Sequence, residues 1–136
     1  MALTHKETVQ LLPLAEQGDT RSIGKLLRKM LTEQVQELTV SGVVTPGVAA
    51  VELNHATVVV AATIADLKDH QGFLIVKNTS ASGTAAHTVT VTTGTWNGTN
   101  KIITLDAPNE AIAFWIDSAG NGTILENVGS VAISGT

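Results

Sequence analysis

The hydrophobic period changes once along this chain, near Ser41-Gly42, and that change limits the folds open to it. Upstream, positions Ile23, Leu26, Leu27, Met30, Leu31, Gln34, Val35 and Leu38 recur at i, i+3, i+4, i+7 spacing. On an α-helix that spacing lines the apolar side chains along one stripe. Downstream the pattern alternates residue by residue, as on a pleated, half-buried strand. The reading is therefore mainly β: an antiparallel β-sandwich or barrel-like domain carrying an N-terminal amphipathic helical arm. The arm is expected over residues 1–41, a linker over 42–47 and the β-domain over 48–136.

Within the arm, Asp19 or Thr20 is placed to cap the helix, because a side-chain oxygen there accepts from the unpaired amides of the first turn. Thr4 and Glu7 form a capping-box pair for an earlier, shorter turn. Pro13 and Gly18 interrupt any continuous helix across the arm. Arg21, Lys25 and Arg28 make a basic face beside the apolar residues Ile23, Leu26, Leu27 and Met30. Its bland reading is a solvated helix face; its functional reading is docking on an acidic partner surface.

Strands are predicted over 48–53, 57–64, 72–78, 86–93, 100–105, 110–117, 122–128 and 130–134. In His87, Val89, Val91 against Thr88, Thr90, Thr92 the two faces differ cleanly, so one side meets the core. The run Ala111–Ile116 is apolar on both faces, which requires either a second layer or another subunit over it. Phe114 and Trp115 are therefore candidate partner-binding residues together with Arg21, Ile23, Lys25, Leu26, Leu27, Arg28 and Met30. Asn97-Gly98 and Asn121-Gly122 read as hairpin turns, since both residue types tolerate positive φ.

The 136 residues suit one ordinary domain with an appendage. Its hydrophobic content of 43% supports a core without staples. Phe73, Trp96, Phe114 and Trp115 are the only aromatics, so aliphatic side chains must do most of the packing. There is no Cys, which excludes disulfides, thiolate nucleophiles and Cys-based zinc sites. No apolar stretch approaches the roughly 20 residues that span a bilayer. Met1–Glu7 lacks the charged and apolar regions of a signal peptide, so synthesis in the cytoplasm is expected. Residues 41–136 carry Lys68, Lys77 and Lys101 against seven carboxylates, an acidic balance that disfavours nucleic acid.

No chemical motif in the sequence is complete. Gly18–Lys25 has one residue too many between its glycines for a phosphate loop, and Leu26 stands where a magnesium-binding hydroxyl belongs. Asp117–Val128 resembles a calcium loop only at Asn121 and Gly122, and Val128 sits where the bidentate carboxylate is required. Asp66, Asp69 and His70 offer two oxygens and an imidazole, but such a group between strands is ordinarily solvated. His55 and His87 have no ligand spacing, and His87 reads as a packed, hydrogen-bonded ring. Gly-x-Ser-x-Gly is absent. Nothing around Asp106, Glu110 or Asp117 favours paired acids. No catalytic residue, cofactor or metal site is expected, and an enzyme is not.

Val51–His55, Gly72–Val76 and Gly83–Val91, continued by Gly94–Thr99, Leu105–Glu110 and Glu126–Gly129, together resemble a β-domain of tailed-phage and prophage structural proteins. Small capsid decoration and head-fibre proteins are the kinds it is most similar to. The resemblance spans roughly residues 45–130 and is a pattern of strands and turns without a catalytic signature. Gly18–Lys25 resembles the leader of small phage head proteins. The resemblance implies a late virion protein made in the host cytoplasm and placed on the capsid surface. It further implies self-association, with a homotrimer favoured, and the major capsid protein as partner. The alternative is a host-surface or glycan-binding module of a phage fibre, against which the scarcity of aromatics counts.

Overall fold

The computed structural model describes residues 34–135. The chain divides into two units between Val35 and Gln36, and the second is a two-layered β-structure. Its strands are β1 (Val35–Leu38), β2 (Gly42–Val43), β3 (Ala50–Leu53), β4 (Ala61–Asp66) and β5 (Gly72–Asn78). Then come β6 (His87–Thr93), β7 (Thr95–Trp96), β8 (Ile102–Leu105), β9 (Ala111–Ile116), β10 (Asn121–Val128) and β11 (Ala132–Ser134). A single 3-10 turn, Leu67–His70, separates β4 from β5, with the Asp66 side chain capping it.

The first six strands alternate between two sheets. β1, β3 and β5 lie side by side in a sheet ordered β1-β3-β5-β9-β10-β7, and β2, β4 and β6 in a sheet ordered β11-β8-β6-β4-β2. The pairs β3/β5, β2/β4 and β4/β6 are parallel. The chain thus winds as a flattened coil, each strand crossing to the opposite sheet before the next returns beside it. The later strands close the structure antiparallel, β8 on β6, β9 on β5, β10 on β9 and β11 on β8. The mainly β, sandwich-like expectation holds, but the sheets are mixed and not purely antiparallel. Alternation along a strand reports which face is buried and says nothing about the direction of its neighbour.

One core fills the space between the sheets. Val51, Leu53, Leu74, Val76, Ile112 and Phe114 point into it from one side. Ile64, Val89, Val91, Ile103 and Leu105 meet them from the other. Aliphatic side chains do most of this packing, and Trp96 against Phe114, with ring centroids 4.6 Å apart, supplies its aromatic centre. Gly122 makes that pair possible: a Cβ there would stand 3.2 Å from Trp96, 3.3 Å from Phe114 and 3.0 Å from Ile116.

Four expectations are corrected. Val35 and Leu38, read as the end of the amphipathic helix, lie in β1, with Leu38 packed against the core. Over four residues an i, i+3 pair does not separate helix from strand, and the neighbouring strand decides. Residues 23–33 of that helix lie outside the described residues. The segment 42–47 is not a free linker: β2 pairs with Ala62 and Thr63, and Val44 is fully buried, its N–H donating to the Thr63 carbonyl at 2.8 Å. Asn121-Gly122 is not the hairpin turn but the start of β10. The turn is Asp117–Gly120, closed by the Gly120 N–H on the Asp117 carbonyl at 3.1 Å, with Gly120 at positive φ. Finally, residues 57–60 do not extend β4; imidazoles hold the amides of Thr57, Val58 and Val60. Asn97-Gly98, by contrast, is the tight turn expected, both residues at positive φ between bridged Trp96 and Asn100.

Candidate functional site

The outer face of the six-stranded sheet is where the structure departs from an ordinary sandwich. In the β5/β9 register Phe73 lies opposite Trp115, Ile75 opposite Ala113 and Lys77 opposite Ala111. Since β5 alternates, Leu74 and Val76 enter the core while Phe73 and Ile75 point the other way. Phe73 is 64%, Trp115 47% and Ile75 45% exposed. Phe73 and Trp115 meet edge to face, centroids 5.3 Å apart. Val128 extends the apolar surface opposite Ala111 on β10, and Leu125 is exposed at the β-bulge. At about 150–250 Å² per aromatic side chain, Phe73, Trp115 and Ile75 alone leave on the order of 300 Å² of apolar surface to water.

This places the two β-domain residues predicted to bind a partner on opposite sides of one sheet. Trp115 belongs to the exposed face. Phe114 does not: it is fully buried against Trp96, so its assignment to a partner surface is corrected. Adjacent strand residues point to opposite faces, and a run apolar on both faces does not reveal which side is the core. Arg21, Ile23, Lys25, Leu26, Leu27, Arg28 and Met30 lie outside the described residues.

Asp66, His70, Glu110 and Asp117 are engaged with the backbone. Asp66 accepts from the Lys68 N–H at 2.9 Å. His70 is buried, and its Nδ1 donates to the Val48 carbonyl at 2.8 Å. Glu110 is buried, and its carboxylate accepts from the Asp106 and Ala107 N–H groups at 2.7 and 3.1 Å, closing the β8–β9 turn. Asp117 accepts from the Ala119 and Asn121 N–H groups, both at 2.9 Å, and so shapes the β9–β10 turn. No group of three or more metal-ligating side chains occurs among the described residues.

One polar cluster had no signal in the residue spacing. Ser80 joins His55 to His87, 25 and 7 positions away along the chain. Its Oγ accepts from the His55 N–H at 3.0 Å, donates to the His55 carbonyl at 3.0 Å and lies 3.1 Å from His87 Nε2. The Val60 N–H donates to His87 Nδ1 at 3.0 Å. Since Nδ1 is an acceptor, the neutral ring carries its proton on Nε2 and donates it to Ser80. A serine nucleophile needs the reverse arrangement, with Nε2 free to accept the hydroxyl proton. The pair is thus a structural hydrogen bond. Burial, the dominant cause, holds the His87 imidazole below its ordinary pKa; nearby His55 acts in the same direction through its charge, while its backbone opposes.

No known protein family, curated protein or solved structure matches the chain. Among the described residues no helix is long and apolar enough to cross a membrane.

Proposed function

We propose that this is a virion structural protein, a capsid decoration (cement or head-fibre) protein that acts by self-association and by docking on the phage head. The observation that carries the reading is the outer face of β5 and β9. Phe73, Ile75 and Trp115 are held on rigid paired strands and turned away from their own core. Water-exposed apolar clusters of this kind mark contact surfaces, because covering them removes their hydration cost without reorganising the fold. The engagement of Asp66, His70, Glu110 and Asp117 with backbone groups fits a framework better than a reaction centre.

The reading expects a homotrimer at micromolar concentration and decoration of empty capsids through the major capsid protein. Analytical ultracentrifugation of the wild type and of Phe73→Glu, combined with electron microscopy of labelled protein on empty capsids, tests it. The wild type should associate and decorate, and the variant should keep its circular dichroism while losing association. A monomeric wild type that leaves capsids bare removes the proposal. The exposed Phe73–Trp115 pair also favours a second reading, a glycan-binding fibre module, since sugars stack on aromatic faces. Saturable binding of oligosaccharides that Trp115→Ala abolishes, without capsid decoration, would select it.

A further inference from the structure

The connection from β3 to β4, residues 54–60, is held by two imidazoles used in the same uncommon way. His55 Nδ1 accepts from the N–H groups of Thr57 and Val58 at 3.2 and 2.9 Å. His87 Nδ1 accepts from the N–H of Val60 at 3.0 Å. Three of the four amides between residues 57 and 60 therefore rest on ring nitrogens that are acceptors only while the rings are neutral. Ser80 Oγ locks the arrangement by bonding both the His55 backbone and the His87 ring. On its far side the connection lies hard against Gly83, where an added Cβ would stand 1.8 Å from the Ala56 carbonyl oxygen.

We infer that residues 54–60 form a proton-operated clasp, closed while His87 is neutral and opened when its Nδ1 is protonated. A proton on Nδ1 turns an acceptor into a donor. At His87 it would face the Val60 N–H, two donors meeting in a buried site where neither reaches water. The titratable group facing His87 is His55 itself, its other neighbours being Ser80, the Val60 backbone and Leu105 across the β6/β8 ladder. Among the described residues no carboxylate hydrogen-bonds either ring. Opening releases a stretch that already carries half-exposed Val58 and Val59 and uncovers buried Val60. Acid therefore enlarges the apolar surface at this end of the sandwich while the ladders of β5, β9 and β10 stay paired.

The sign follows from proton counting. A released His87 binds its proton near the ordinary value of 6.5, and the closed ring, held lower by burial, binds it only at lower pH. Between those values the open form carries more protons, so falling pH favours opening. One ring makes opening about tenfold more favourable per pH unit below the ordinary imidazole value.

Amide hydrogen exchange of the full chain at about pH 7.5 and about pH 5, either side of imidazole titration and corrected for intrinsic rates, reads the clasp directly. The amides of Thr57, Val58 and Val60 should lose at least about tenfold protection at the lower pH, while Leu74 and Ile112 keep theirs. In the double variant His55→Asn, His87→Asn, each amide oxygen can replace Nδ1 as an acceptor that does not titrate, so the pH dependence should vanish. Nitrogen NMR of the wild-type His87 ring provides a check that needs no variant: it should be the Nε2–H tautomer near neutrality. Equal protection of residues 57–60 at both pH values overturns the inference, as do an Nδ1–H tautomer or a uniform loss of protection across β5 and β9.

Discussion

Phe114 and Trp115 are neighbours in one strand, and the structure assigns them opposite energetic roles. Phe114 is fully buried and packs on Trp96 at 4.6 Å, so truncation to alanine removes a whole ring from the core. Buried Phe→Ala changes of this kind cost about 3–5 kcal/mol. That is about a fifth or more of the roughly 5–15 kcal/mol that stabilises a typical domain. Trp115 is 47% exposed, so its truncation loses about half of an aromatic burial plus its edge-to-face contact with Phe73. Together these come to about 1–3 kcal/mol. Urea unfolding followed by far-ultraviolet circular dichroism, at concentrations low enough to suppress association, measures both. At the middle of these ranges the two unfolding free energies differ by about 2 kcal/mol, with Phe114→Ala the less stable. An equal or larger loss for Trp115→Ala would mean that the outer face is covered within the monomer, and the assignment of inner and outer faces would fail.

Gly83→Ala should destabilise by at least about 2 kcal/mol, since φ of +104° is unfavourable for alanine and its Cβ would meet the Ala56 carbonyl at 1.8 Å. A thermal melt within a degree of wild type would contradict that close approach. A chain starting at Thr45 should fold poorly, because it lacks β1, β2 and buried Val44, whereas one starting at Gln34 retains every described strand. Equal melting of the two truncations would show that β1 and β2 contribute little to the sandwich.

Much of the β-structure is legible in the sequence. The alternation His87, Val89, Val91 against Thr88, Thr90, Thr92 is reproduced residue by residue in β6, because the two-residue side-chain period is a property of the extended backbone itself. The Asn97-Gly98 turn was legible for a similarly local reason: few residue pairs accept positive φ twice in succession. Asn121-Gly122 misled because its glycine serves packing, making room for Trp96 and Phe114, while Asp117 and Gly120 make the turn.

What the tertiary structure alone decided are the features that depend on which strands lie side by side. Parallel pairing of β3 with β5 and of β4 with β6 leaves no mark on the strands it joins, since hydrogen-bond direction belongs to the pair. The same winding carries Ser80 to His55 and His87, a contact between three segments that no spacing encodes. It also decides that Phe114 is core and Trp115 surface, although both faces of β9 are apolar. The sequence by itself determined where strands form and which of their residues alternate, because backbone geometry and residue shape act within a few positions. Which apolar face is covered was left to the fold, because burial depends on neighbours that the chain brings from far away.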